Sequence, residues 1–165
     1  MIEQQYLDDA VKQLERLKRS AEKSIAQVTD TQLFDTIDPE ANSIALIMKH
    51  VAGNMRSRWT DFLTSDGEKP DRARDSEFEA GPADTREAIV AAWEGGWTLT
   101  LQTVAGLKPD DLSRTVYIRG EGLSVVHAIN RQMTHYAEHV GQIVLLAKHY
   151  AGPNWQTLSI PKRKR

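Results

Sequence analysis

The chain has 165 residues, with 21 lysines and arginines against 23 aspartates and glutamates, and a formal net charge of -2. That balance gives no general electrostatic reason to expect nucleic acid or an anionic membrane as partner. The chain has no cysteine, which excludes disulfides and a thiol nucleophile of its own, so any metal site must be built from His, Asp or Glu. The length suits one domain, residues 1–165, able to close its own core. The opening "MIEQQYLDDAVKQLERLKRS" lacks the apolar core of a signal peptide, and no later run reaches membrane-spanning length. A soluble, cytoplasmic protein is the expectation.

Apolar residues recur three and four apart in four long segments, which is the period of helices that bury one face. The first runs from about Ile2 to Val28 with Leu7, Val11, Leu14, Leu17, Ala21, Ile25 and Val28 on one stripe, and the turn-forming "TDTQLFDTIDPEAN" breaks it. The second runs from about Asn42 to Leu63 on Ile44, Ile47, Met48, Val51, Met55, Trp59 and Phe62, with Asn42 or Ser43 as its cap. A long polar stretch, "TSDGEKPDRARDSEFEAGP", follows. Its "DG" does not begin a calcium loop, because Phe62 stands where the first carboxylate belongs. It reads either as a solvated loop laced by ion pairs, with Arg56 and Arg58 as partners for its acids, or as a lid whose Arg72 or Arg74 meets an anionic substrate. The third helix opens at "DTRE", where Asp84 and Glu87 resemble a capping box, and ends near Gly106 ahead of Pro109. "TVYIRGEG" mixes β-branched residues with glycines and predicts a short extended piece or hairpin. The fourth helix runs from about Ser124 to Tyr150 and is stopped by "GPN". The basic end "PKRKR" reads as a solvated, frayed tail. Four such helices predict an all-α four-helix bundle with a long polar loop between the second and third.

The fourth helix carries "THYAEHVGQI". A helix advances about 100° and 1.5 Å per residue, so His135 and His139 project from one face, one turn apart, where two imidazoles can share one ion. The pair alone is a weak signal, since histidines also fall at this spacing on ordinary polar faces. "HYAEH" matches the inverted zinc-peptidase pattern H-x-x-E-H, but no Asp or Glu follows His139 to complete it. A third ligand must then come from another helix, and His50 in "LIMKHVAGN" leads, on the same side as Leu46, Ile47 and Asn54. His127 lies about 12 Å along the axis from His135, and His149 is farther still and on another side. Asn54, Gln142 and Glu138 stand near the three as candidates for orienting a ligand or water. None is an obvious general base, Glu138 pointing roughly 60° from the pair, and the catalytic residues are unassigned. A hydrogen-bonded polar seam in the bundle is the competing reading of the same histidines.

"LIMKHVAGNMRSRW", "DGEKPDRARDSEFE" and "RQMTHYAEHVGQIVLLAK" together resemble the DinB/YfiT-like superfamily of bacterial four-helix-bundle metalloproteins, in a subfamily of unknown function. The most specific element is a second-helix histidine combined with H-x-x-x-H-x-G-Q-[IV]. The resemblance covers nearly the whole chain. It implies a divalent metal on His50, His135 and His139, zinc or nickel by the preferences of three imidazoles. It also implies helices running up-down-down-up and a homodimer, for which the tryptophans of the third helix offer weak additional support. Members act as transferases or isomerases using low-molecular-weight thiols, or as metal-dependent hydrolases. The chain departs from several relatives at Arg131 and Gln132, where they place a further histidine. Two expectations follow: a metalloenzyme whose three-histidine site activates water or a small thiol, or a non-catalytic metal- or ligand-binding bundle.

Overall fold

The computed structural model describes residues 1–161; the basic end at 162–165 lies outside the described residues. Four long helices pack on one another: α1 (Ile2–Ile25), α3 (Ile44–Trp59), α4 (Arg86–Ala105) and α5 (Val125–Ala151), with a short α2 (Asp30–Phe34) between the first two. α1 lies against α4 and α5, and α3 lies against the same two from the other side. Among the described residues, no helix is long and apolar enough to cross a membrane.

Helices α2 to α5 each begin where a hydroxyl serves the free N–H groups, while α1 starts at Met1 without a side-chain cap. Ser43 accepts from the Leu46 N–H at 3.2 Å, and Ser124 accepts from His127 N–H at 3.2 Å. α4 is capped by Thr85, which accepts from Ala88 N–H at 3.2 Å. Asp84, the expected cap, instead accepts from the Gly81 N–H and from Lys49 Nζ, each at 2.8 Å. The break after α1 holds the small helix α2, closed by a reciprocal capping box between Thr29 and Gln32. Arg86 of α4 donates to the carbonyls of Ile25 and Val28 at 3.0 Å each, placing a cation on the C-terminal end of α1.

The predicted stripes form most of the core, with Leu14, Met48, Val51, Met55, Ile129 and Ile143 fully enclosed, and Leu33 of α2 joins them from the stretch expected to be a break. Trp93 and Trp97 are also inside, 1% and 0% exposed, and so supply no outer surface for a second copy. Their indole N–H groups have no partner among the described residues. Each orphaned donor costs about 1–3 kcal/mol. Burying roughly 200 Å² of ring at about 25 cal/mol per Å² returns roughly 5 kcal/mol, so the packing prevails.

The fold is mostly helical and not all-α, because Thr115–Ile118 (β1) and Glu121–Ser124 (β2) pair as an antiparallel hairpin in the register Val116 with Leu123 and Ile118 with Glu121. Val116, Ile118 and Leu123 turn inward to the core. The two turn residues, Arg119 and Gly120, have φ of 55° and 74°, the left-handed pair that a two-residue hairpin of this twist requires. The polar stretch after α3 is fastened to this hairpin. Asp66 accepts from the backbone N–H groups of Glu68, Arg119 and Gly120 at 2.7, 2.9 and 2.8 Å, and Gly67 donates to the Tyr117 carbonyl at 2.7 Å. Asp66 is thus occupied by backbone donors. Ion pairs lace the same stretch as expected, Arg56 with Asp71 and Arg58 with Glu68, both at 3.1 Å. It ends in a 3₁₀ turn, Arg74–Phe78, lying on α3.

Candidate metal centre

α3 and α5 bring His50, His135 and His139 together, each offering a ring nitrogen, and the three nitrogens lie within 4.8 Å of one another. His135 Nε2 is 3.4 Å from His50 Nε2 and 3.1 Å from His139 Nε2. Two imidazole nitrogens on a tetrahedral ion at about 2.1 Å stand roughly 3.4 Å apart, so the observed separations fit a shared divalent ion. His50 is buried, and the other two are half-buried at the edge of the inward stripe of α5.

The outer nitrogens decide which way the lone pairs point. His50 Nδ1 lies 2.9 Å from Glu77 Oε2; a carboxylate can only accept, so Nδ1 carries the proton and the Nε2 lone pair faces inward. His139 Nδ1 donates in the same way to Gln142 Oε1 at 2.8 Å. Two lone pairs therefore converge on the Nε2 of His135, which meets them either as an N–H donor or, with its own lone pair, around a shared cation. This carboxylate-to-histidine buttress is the usual support of a metal-ligating imidazole.

Glu77 was not among the residues that the sequence marked. It comes from the 3₁₀ turn and is 7% exposed. Its two oxygens take a two-pronged contact from Arg72, with Nε and Nη2 each at 2.8 Å. Room for it is made by Gly53, one turn past His50, where a Cβ would fall on the carboxylate. An interior helical glycine often marks such a close approach, and that was the available sign. The Phe78 ring covers His50 with centroids 4.6 Å apart.

Burial, then the nearby charges of His139, His50, Arg58 and Arg72, push the His135 imidazole down to about 3. Burial likewise lowers His139, against the hydrogen bond with Gln142. Both rings are neutral at pH 7, as ligands must be. Burial alone would raise the Glu77 carboxyl, but the hydrogen bonds from His50 and Arg72 and the charge of Arg72 hold it below the ordinary range.

Of the other residues singled out in the sequence, Asn54 is buried and its Oδ1 accepts from the Tyr136 hydroxyl at 3.2 Å, which itself accepts from Trp59 Nε1 at 2.9 Å. Gln142 orients His139. Glu138 is exposed and makes no side-chain hydrogen bond among the described residues, while His127 and His149 are exposed. A cleft of about 220 Å³ opens beside the cluster, reached by His50, His135, Asn54 and Gln132 on its inner side. Gln132 is 4% exposed, and among the described residues its Oε1 and the His135 Nδ1 are both unpartnered.

The helices thus set three convergent imidazoles, a ligand set that could hold a metal ion, beside an open cleft. The chain matches the family described as "Protein of unknown function (DUF1572)" over residues 1–164 and belongs to it. That family lies within the DinB/YfiT-like superfamily. A search of curated proteins finds no match to the chain.

Proposed function

We propose that the protein is a metal-dependent enzyme of the transferase or hydrolase type, in which His50, His135 and His139 hold one divalent ion, zinc or nickel, beside a small-molecule cleft. The observation that carries this reading is the convergence of three Nε2 atoms with Nδ1 of His50 and of His139 already engaged by Glu77 and Gln142. A bound divalent ion supplies Lewis acidity at an open position, where water or a low-molecular-weight thiol loses its proton more readily. The chain's own residues do the rest. Glu77 and Gln142 fix the rings, Arg72 holds Glu77 ionised, and Phe78 shields His50 from water. Asn54 and Gln132 offer amides to whatever occupies the cleft. The chain has no cysteine to compete for the ion with an external thiol.

The resemblance also carries the finer topology and the assembly. The connection from residue 60 to 85 is long enough for α3 and α4 to run side by side in the up-down-down-up order, and the functional unit is a homodimer, with no nucleic acid or membrane as partner. One observation favours a second reading, a non-catalytic metal- or ligand-binding bundle: no carboxylate lines the cleft among the described residues, so no general base faces it. Zinc- and nickel-loaded protein, screened for thiol transfer and ester hydrolysis against metal-free protein, separates the two. Metal-dependent turnover lost in His135→Ala supports the enzyme, and tight metal binding without turnover supports the binding protein.

A further inference from the structure

The cleft beside the histidines is lined by five guanidinium groups, those of Arg58, Arg72, Arg74, Arg119 and Arg131, and by no acid among the described residues. The acids behind its wall do not balance them. Glu68 is shared by Arg58 at 3.1 Å, Arg72 at 3.3 Å and Arg119 at 2.9 Å, and Glu77 is committed to Arg72 and His50. Among the described residues Arg74 and Arg131 each make one ion pair at 3.3 Å, to Asp75 and Glu121, acids 96% and 63% exposed, and the Arg74 guanidinium also lies over the Phe78 ring at 5.2 Å. Ion pairs of that kind hold little and release readily to a better anion. Arg58 and Arg72 are buried and locked in place, so they form a fixed positive floor that costs no reorganisation when an anion arrives.

Two further features bear on a ligand. Arg119 holds φ 55° because the hairpin turn demands it, at a cost on the order of 1 kcal/mol that a glycine would not incur, and the turn sets the Arg119 side chain at the cleft. Its side chain is about half exposed and reaches the cleft instead of the core. At the inner end the Gln132 amide is buried, unpartnered at Oε1, and lines the same space. The volume, about 220 Å³, equals roughly seven waters at about 30 Å³ each, which suits a small molecule and not a polymer.

We infer that the cleft binds a small oxyanion, a carboxylate- or phosphate-bearing substrate, through Arg74, Arg119 and Arg131, with its other end toward Gln132 and the three histidines. This deepens the metal-site reading and rests on it for the identity of the reacting end. The anion site itself is testable apart from the metal. Titration calorimetry of the full chain, zinc-loaded and metal-free, uses succinate and inorganic phosphate as probes and succinamide as the uncharged control. At least one anion binds at one site per chain in both forms, succinamide binds at least tenfold more weakly, and added salt weakens the anion. Arg119→Gly relieves the turn, so it melts at or above the wild-type temperature; combined with Arg131→Gln it loses at least tenfold in anion affinity while zinc stoichiometry is unchanged. Anion binding without zinc uptake keeps the anion site and removes the metal reading. Zinc uptake with neither anion bound, succinamide bound as tightly as succinate, or a double variant that binds as wild type overturns the anion site.

Discussion

Glu77 Oε2 stands 2.9 Å from His50 Nδ1, and the Glu77 carboxylate occupies the space that a side chain on Gly53 would fill. His50 is therefore aimed by a residue 27 positions away, through a glycine that exists in the helix for the acid's sake. Gly53→Ala should gain roughly 0.5–1 kcal/mol of helix propensity in isolation. Here it displaces Glu77, so we expect zinc affinity to fall about 10- to 100-fold, with no rise in melting temperature. Glu77→Gln should weaken zinc by a similar factor and also lower the melting temperature, because buried Arg72 loses its charged partner. Competition with a calibrated chelator reads the affinity; unchanged zinc binding in both variants contradicts the supporting role of Glu77.

Acid should destabilise the metal-free protein over a defined window. In the fold His135 takes a proton only near 3, whereas in the unfolded chain it does so near 6.5. Between those values the unfolded state binds more protons, so stability is lost as pH falls through the window and regained as it rises. The lowered carboxyls of Glu77 and Glu68 act in the same sense below the ordinary carboxylate range. Urea midpoints of chelated protein should drop steadily from pH 7 to pH 4.5, and His135→Ala should flatten the upper part of that slope. A midpoint constant across this range contradicts the burial of a neutral His135.

The Tyr136 hydroxyl links Trp59 to Asn54 in a fully enclosed place, accepting at 2.9 Å and donating at 3.2 Å. Tyr136→Phe leaves the Trp59 N–H without an acceptor and frees Asn54 at the cleft wall. The loss should be about 1–3 kcal/mol, seen in the midpoint of chemical denaturation, with zinc stoichiometry unchanged. A variant as stable as wild type would mean that water or another group satisfies Trp59.

The helices were legible because burial on one face forces the apolar spacing: α5 was expected at Ser124 to Tyr150 and is found at Val125–Ala151 with Ser124 as cap. The i, i+4 pair was legible for the same reason, since helix geometry alone fixes the relation of His135 to His139. His50 could be nominated because it borders the Val51 row. Glu77 was not, because its place depends on how a loop without periodicity folds back onto α3. The Asp84 cap failed for a related reason: Lys49, from another helix, draws that carboxylate away and leaves Thr85 to cap. The tryptophans of α4 lend the dimer no support, since they are covered by the chain itself, and spacing shows which residues share a face but not what covers it.

The most direct measurement is the metal content of purified protein offered zinc or nickel at neutral pH and then freed of loosely held ions by gel filtration. One ion per chain is expected for wild type, His127→Ala and His149→Ala, and well under one for His50→Ala, His135→Ala and His139→Ala, each confirmed as folded by circular dichroism. Wild-type protein that retains no metal, or His135→Ala that retains it as tightly as wild type, would contradict a three-histidine metal centre and leave the cluster as a hydrogen-bonded polar seam.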